Sequence, residues 1–400
     1  MRGILRILIY RSIYIGEVDV LHVNKAYNIV LSGGGIKGVA YTGVFEIAEK
    51  EGIRWNNIAG VSAGALAGAF AAAGYGAMEL KKVLNEFNFS KIQIKDIPKR
   101  VPAVSEFMEF SRQLAAVRGV QADMGKAIDY FLCRPRLNMR RALNLEIMEE
   151  NAYRGAMLDN IARLSKRGYL CDGDYLEEWV SKSLLLKGVK TFGDLRTGKP
   201  DKMNPRGYKI RMTAVDINRV KMVVLPDDIA FYGMDPDKLE VAKAVRMSTA
   251  VPFAFKPVEI KKWEGNHAKK YSMIDGGVFD GFPYWLVDNE NSASTLGFRL
   301  VGSDKKKLLS INTPLNILKA LICAVHDIGV DKNIPPVKYI ADINTSNISF
   351  LDFNLDEEEK AYLINEGRKA AADFFNKLNI TRPKKKMEMW NGMQGLFRRW

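Results

Sequence analysis

Residues 60–64 read Gly60-Val61-Ser62-Ala63-Gly64, a Gly-x-Ser-x-Gly run that follows the apolar pair Ile58-Ala59. An alanine-rich stretch continues to residue 73, so the segment predicts a strand that turns sharply into a helix. This arrangement is typical of a nucleophile elbow, in which a strained turn presents a serine at its apex. The two flanking glycines leave room for the helix start to pack closely against neighbouring strands. Ser62 is therefore a candidate nucleophile.

A second glycine-rich turn lies upstream, at Ser32-Gly33-Gly34-Gly35-Ile36-Lys37-Gly38, between a strand-like run over 27–31 and a predicted helix that ends at Lys50. Its spacing matches a dinucleotide-binding loop, but that fold places Asp or Glu near the end of its second strand. Here the second strand, about Asn57 to Val61, runs into Ser62. Successive glycine N–H groups at a helix start can instead hold a developing negative charge. The pattern favours an oxyanion hole over a nucleotide site or a plain tight turn.

A carboxylate that could serve the serine lies far downstream, where a predicted strand over 270–274 ends in Asp275-Gly276-Gly277. Two glycines beside a carboxylate at a strand end allow it to approach another loop closely. Taken alone, Asp-Gly is equally typical of a hairpin turn. Because two glycine-rich turns precede it in the chain, we expect Asp275 to lie in one crevice with those turns.

Histidine is scarce, with only His22, His267 and His326 in the chain. An α/β-hydrolase triad runs Ser, acid, His along the sequence, so only His326 could follow Asp275. His326 lies in an apolar helical pattern over 317–328, which is typical of a structural histidine. His267 lies in the polar run 264–270, which indicates an exposed loop. A serine enzyme whose base is Asp275 rather than a histidine is the simplest interpretation.

The three motifs, in the order 33–38, 60–64 and 275–277, resemble the patatin-like phospholipases. The resemblance covers about residues 24–90 and 170–345, and includes further similar segments at 191–195, 244–252 and 279–283. It implies an α/β chain with a three-layer α/β/α fold, a central mostly parallel sheet and a Ser-Asp dyad. It also implies catalysis without a metal or a cofactor.

Carried over position by position, the resemblance makes Ser62 the nucleophile and Asp275 its proton acceptor. The oxyanion-hole donors would be the N–H groups of Gly33, Gly34, Gly35 and Ala63. The other motif glycines are Gly38, Gly60, Gly64, Gly276 and Gly277. Ser32 stands where many members have Asp, which leaves these roles unchanged because backbone amides are the donors.

The length of 400 residues suits one α/β core with additions. We expect an N-terminal arm over 1–23, a catalytic domain over 24–345, a C-terminal helix within 346–381 and a tail over 382–400. Within the catalytic domain, residues 208–215 and 220–225 alternate as two strands joined near Asn218, which predicts a hairpin.

Between about residues 91 and 167 the pattern changes to helical segments over 104–117 and 139–164. This insertion could cap the crevice. Its apolar and aromatic side chains are typical of an ordinary core, and an acyl-chain lining is the alternative.

A net charge of +14 indicates an anionic partner or a generally solvated basic surface. Nucleic-acid binding is not supported, because no zinc finger or aromatic-glycine RNA motif is present. An anionic membrane surface fits both the charge and the lipid chemistry. The tail 382–400 mixes basic residues with Trp390, Phe397 and Trp400, a composition typical of an interfacial segment.

Three cysteines without metal-ligand spacing (Cys133, Cys171 and Cys323) indicate a reducing compartment. No run approaches the roughly 20 apolar residues of a membrane span, and the first residues lack a signal-peptide cleavage site. We therefore expect a cytoplasmic, peripherally membrane-associated acyl hydrolase of phospholipids or lysophospholipids. The alternatives are a soluble carboxylesterase or thioesterase on small acyl substrates, and a non-catalytic basic protein that binds lipid or nucleic acid.

Overall fold

A computed structural model describes residues 26–87, 91, 167, 169, 171–252, 254–287, 295–302, 339–345, 348 and 355–380. The expected N-terminal arm, nearly all of the insertion, the helical pattern with His326 and the tail 382–400 lie outside the described residues.

One sheet organises the described chain. Its strands are β1 Ala26–Leu31, β2 Arg54–Gly60, β3 Ile210–Asp216, β4 Lys221–Leu225, β5 Val258–Glu264, β6 His267–Asp275, β7 Thr295–Val301 and β8 Ile340–Asn344. The order is β5-β6-β3-β2-β1-β7-β8, with β4 also paired to β3. Strands β3, β2, β1, β7 and β8 are parallel, whereas β4 and β6 run antiparallel to β3 and β5 runs antiparallel to β6. The central strands β1 and β3 are almost wholly buried, as expected of parallel strands covered on both faces.

The described helices pack on one face of this sheet, the face that carries Ile29, Ile58 and Phe298. They are α1 Tyr41–Lys50, α2 Ala63–Ala72, α3 Ala77–Glu86, α4 Asp174–Leu185, α5 Val241–Ser248 and α6 Glu357–Lys377. Helix α6 begins with a capping box, in which the Asp356 carboxylate accepts the Glu359 N–H (2.8 Å) and the Glu359 carboxylate accepts the Asp356 N–H (3.0 Å). The C-terminal helix expected within 346–381 is therefore present as Glu357–Lys377.

The opposite face carries a smaller apolar cluster around Val30 and Ala59. Among the described residues this face is covered by the segment 282–287, with Phe282, Tyr284 and Leu286 packed onto the strands. The sheet thus lies between α-helices on one face and the 3-10 helix Tyr284–Leu286 on the other. This mixed α/β fold with a central, mostly parallel sheet confirms the predicted fold class.

Three local predictions can be compared with these elements. The hairpin around Asn218 is confirmed as β3 and β4. The strand predicted over 270–274 is confirmed and is longer, since β6 begins at His267. The exposed loop predicted for 264–270 is wrong, because these residues form the end of β5, the turn and the start of β6, although their side chains are exposed. No described helix is both long and apolar enough to cross a bilayer.

Candidate active site

The nucleophile elbow forms where β2 ends and α2 begins. Ser62 has φ 52° and ψ −118°, a conformation that a residue with a side chain rarely adopts. The flanking glycines allow this turn, since a Cβ on Gly60 would lie 2.5 Å from the Gly64 backbone, and one on Gly64 would lie 2.2 Å from the Leu31 carbonyl oxygen. Ala63 is the first residue of α2, so its N–H points out of the helix at the positive end of the helix dipole.

The glycine loop follows β1, the neighbour of β2, at the same edge of the sheet. Gly35 has φ 58° and opens a 3-10 turn that runs into α1, while a Cβ on Gly38 would lie 2.9 Å from that of Ala63. The loop therefore lies directly against the elbow. Within the described residues, the N–H groups of Gly34, Gly35 and Ala63 have no hydrogen-bond acceptor.

Gly33 differs from the other predicted oxyanion donors. Its N–H donates to the Gly281 carbonyl (2.9 Å), which joins the glycine loop to the segment that follows Asp275. The Gly33 N–H therefore forms a structural hydrogen bond between the two loops. The Gly33 N–H is therefore unavailable to an oxyanion, and the N–H groups of Gly34, Gly35 and Ala63 remain as the predicted donors.

Ser32 anchors the same loop through its side chain. Its Oγ accepts the Leu300 N–H (2.9 Å) and lies 3.1 Å from the Tyr41 hydroxyl, which donates to the Ser32 carbonyl (2.8 Å). Burial raises the pKa of Tyr41, so its hydroxyl stays protonated as a donor. The serine in place of the more usual aspartate therefore fits a neutral, buried network.

Asp275 ends β6 and is 4% exposed. It caps a short 3-10 turn, and its Oδ1 accepts the Gly277 N–H (2.7 Å), so Asp-Gly does not form a hairpin turn. Gly276 passes so close to β3 that a Cβ there would lie 2.5 Å from the Thr213 carbonyl oxygen. Gly276 therefore packs closely against β3, and the approach of Asp275 to another loop stays a prediction.

The sheet register places Ser62 and Asp275 at the same level. Gly60 pairs with Met212 on one side of β3, and Asp275 pairs with Ala214 on the other side. Ser62 lies two residues beyond Gly60, as Ala214 lies two residues beyond Met212. Because β2 and β6 both flank β3, the two backbones lie at the same edge of the sheet, about two strand spacings or roughly 10 Å apart.

The end of α5 connects these two residues. The Ser248 Oγ accepts the Ser62 N–H (3.0 Å) and donates to the Thr213 carbonyl (2.7 Å), while the Asp275 N–H donates to the Ala250 carbonyl (3.0 Å). Ser248 is fully buried. Sequence reasoning gave Ser248 no role, although it lies in the segment 244–252 that carries part of the family resemblance.

An apolar cavity opens at Ser62. The space between its lining residues, counted together with the open solvent at its mouth, is about 790 Å³, and the described lining residues include no ionisable side chain. Apolar side chains of α2, α3 and α4 form much of its wall, among them Leu66, Ala67, Phe70, Leu84, Phe87 and Trp179. The Trp179 ring packs against Phe87 (centroids 4.4 Å apart) and Phe70 (5.3 Å), which gives the cavity an aromatic wall.

A model of the patatin-like phospholipase family matches residues 29–288, which include the glycine loop, the elbow and Asp275. The chain belongs to this family. Membership confirms the predicted resemblance and classes the protein with lipid hydrolases.

Relatives of this patatin-like phospholipase include the uncharacterized protein YqhO of Bacillus subtilis (strain 168). YqhO is 29% identical over 350 residues, which cover 85% of this chain and 94% of YqhO. Among solved structures, VipD from Legionella pneumophila has a TM-score of 0.46 and 18% identity over 88% of this chain and 66% of VipD. ExoU from Pseudomonas aeruginosa, solved as a heterodimer with SpcU, has a TM-score of 0.38 and 17% identity over 89% of this chain and 52% of that chain. The chain thus spans about two thirds of VipD and about half of ExoU.

Ser248 provides a test of how this patatin-like phospholipase holds its elbow. Ser248→Ala leaves the buried Ser62 N–H without an acceptor, so the serine shifts from its strained position. We expect kcat on a short-chain ester to fall by about 10- to 100-fold with little change in KM, because small misplacements of a reacting group have effects of this size. Ser248→Thr, which keeps the hydroxyl, should restore most of the rate. Ser183→Ala, at another buried serine, is the matched control, and an equal loss there would contradict the positioning role.

Proposed function

We propose that the protein is a lipid acyl hydrolase that cleaves carboxylic ester bonds of phospholipids or lysophospholipids through Ser62 and Asp275. The observation that carries the proposal is the apolar cavity that begins at Ser62 and is walled by α2, α3 and α4. The protein would act in the cytoplasm, the reducing compartment that the three cysteines of the chain favour.

The chemistry follows from the placement of these groups. Asp275 accepts the Ser62 proton as the Oγ attacks the acyl carbonyl, and the N–H groups of Gly34, Gly35 and Ala63 stabilise the oxyanion. When the tetrahedral intermediate collapses, the leaving alcohol takes the proton from Asp275 and an acyl-enzyme remains. Asp275 then deprotonates a water that attacks the acyl carbonyl, and as the bond to the Ser62 Oγ breaks and the fatty acid leaves, Asp275 returns the proton to Ser62.

The cavity supports a long acyl chain as the bound part of the substrate. Each methylene that it removes from water contributes about 0.8 kcal/mol, which corresponds to about a fourfold gain in affinity. A polar or charged substrate group would find no ionisable partner among the described lining residues. Activity should therefore rise with acyl length until the chain fills the cavity.

A substitution in the cavity wall tests this proposal. Ala67→Leu adds three carbons at a buried lining position of α2, so the cavity holds a shorter chain. We expect the preferred length in a series of p-nitrophenyl esters to shorten by several carbons, with the rate on the acetyl ester nearly unchanged. Ala71→Leu, on the same helix but outside the cavity lining, is the control. A wild-type rate that is highest for acetyl and falls with length would favour an esterase of small substrates.

A further inference from the structure

The β5–β6 hairpin projects beyond the sheet at the edge that carries the active site. Pairing of β6 with β3 ends at Met273 and Asp216, whereas β5 and β6 stay paired as far as Glu264 and His267. Because β6 runs antiparallel to β3, these extra residues extend past the carboxyl end of β3. Six residues of strand correspond to about 20 Å. We call residues 261–270 the ribbon.

Two lysine pairs face each other across the ribbon. Lys261 pairs with Lys270, and Lys262 pairs with Lys269. Like charges directly opposite one another destabilise a β-hairpin, so this arrangement has an energetic cost in the free protein. The charge of Lys270 is partly neutralised by an ion pair with Glu259 (3.1 Å), and that of Lys262 by a longer ion pair with Glu264 (3.7 Å). In the described part of the chain, no carboxylate lies within ion-pairing distance of Lys261 or Lys269.

Apolar side chains are exposed beside these lysines. Trp263, on the same face of the ribbon as Lys261, is 68% exposed. At the neighbouring β3–β4 turn, Val220 is 68% exposed and Ile217 is 43% exposed. Between the two lies Phe231, with the Arg219 guanidinium 3.6 Å and the Lys262 amine 4.1 Å from its ring centre. Lys261 and Trp263 lie on one face of the ribbon, and Lys262 and Lys269 lie on the other face, where Lys262 contacts Phe231. Cationic and apolar side chains therefore lie beside one another on both faces of the ribbon.

Protection of a sheet edge explains only part of this surface. Lysines on an edge strand such as β5 discourage pairing with another chain. An exposed tryptophan does not protect the edge, because a large apolar side chain there favours association with other molecules. Basic residues combined with tryptophan and aliphatic side chains are the composition of proteins that lie on anionic membranes.

We propose that the ribbon and the β3–β4 turn, residues 217–220, form a docking surface for an anionic phospholipid bilayer. The outer end of the ribbon would meet the bilayer, so that lysines of both faces contact lipid phosphates and carboxylates, and Trp263, Val220 and Ile217 enter the interfacial layer. The inference rests on the proposed function, in that docking at this edge presents the mouth of the acyl cavity to its lipid substrate. It assigns membrane contact to a folded part of the catalytic domain, separate from the tail 382–400.

The test measures binding in a full-length Ser62→Ala background, so that no lipid is consumed. The ribbon variant is Lys261→Thr with Lys269→Thr, and threonine keeps the strand propensity. Its matched control is Lys199→Thr with Lys202→Thr, which removes the same charge from the loop before β3, at the opposite end of the sheet. A second pair compares Trp263→Thr with Met203→Thr, an exposed apolar residue of that loop.

For vesicles of phosphatidylcholine with phosphatidylserine, we expect the ribbon lysine variant to lower the partition coefficient by about 30-fold. The control pair should change it by less than a factor of about three, and added salt should narrow the difference. Trp263→Thr should weaken binding to vesicles with and without phosphatidylserine, whereas Met203→Thr should not.

The proposal would be overturned if the ribbon and control variants lost vesicle binding equally. It would also be overturned if the ribbon variants bound vesicles as well as the protein without these substitutions. Aggregation of the lysine variant with undiminished vesicle binding would assign the lysines to edge protection instead. Loss of binding to an RNA oligonucleotide but not to vesicles would assign the surface to nucleic acid. The same lysine variant with Ser62 restored separates the two proposals. If it hydrolyses vesicle lipid as fast as the wild type, the docking proposal is contradicted and the proposed function is not. If the wild type hydrolyses no ester at all, the proposed function is contradicted and the docking proposal is not.

Discussion

Ser62→Ala is expected to lower ester hydrolysis by about 10⁴- to 10⁶-fold, the range seen when a serine hydrolase loses its nucleophile. The substitution removes the one oxygen that forms the acyl-enzyme. Alanine is small enough for the elbow, although it also has to adopt φ near 52°. The loss of hydrolysis is measured by turnover of a soluble short-chain ester. The loss of the reactive oxygen is measured by labelling with a fluorophosphonate probe.

Thermal unfolding provides the control for this variant, because the elbow is already strained by Ser62 itself. The melting temperature should stay close to that of the wild type. Peptide mapping should place the probe on Ser62 in the wild type and find no probe in the variant. Labelling at another serine, or activity retained in the folded variant, would contradict the assignment of the nucleophile.

Asp275→Asn is expected to lower kcat by about 10²- to 10⁴-fold, the usual contribution of a general base. Asparagine has the same shape and can still accept the Gly277 N–H, so the turn that it caps should persist. The amide cannot take the Ser62 proton. The loss should appear equally in probe labelling, since both reactions need a deprotonated serine.

Histidine substitutions separate a dyad from a triad. His267 is exposed at the start of β6, so His267→Ala should keep nearly full activity. His326→Ala, in a segment outside the described residues, should do the same if the protein folds. A collapse of activity in folded His326→Ala would show that Asp275 acts through a histidine.

The parts of the site that sequence predicts best are those where backbone geometry permits few residue types. Ser62 at positive φ between two glycines is such a position, and so is the turn through Gly35. The hydrophobic pattern of the buried parallel strands was equally informative, because both faces of β1 and β3 are covered.

The outer part of the β5–β6 hairpin was missed because its sequence has no apolar face to signal a strand. Residues 261–270 are almost all exposed and mostly polar on both faces, so alternation and burial do not mark them. The role of Ser248 also could not be predicted, since its two hydrogen bonds join residues that are distant in sequence. The same holds for Gly33, whose N–H is taken by Gly281 across the crevice.

Incubation of the full-length protein with mixed phospholipid vesicles, followed by mass measurement of the products, tests the lipid acyl hydrolase assignment most directly. We expect fatty acid and lysophospholipid to appear in equal amounts with the wild type, or fatty acid and the glycerophospho-headgroup if lysophospholipid is the substrate. Neither product should appear with Ser62→Ala. Hydrolysis of soluble esters without release of any fatty acid from vesicles, or release that persists in Ser62→Ala, would contradict it.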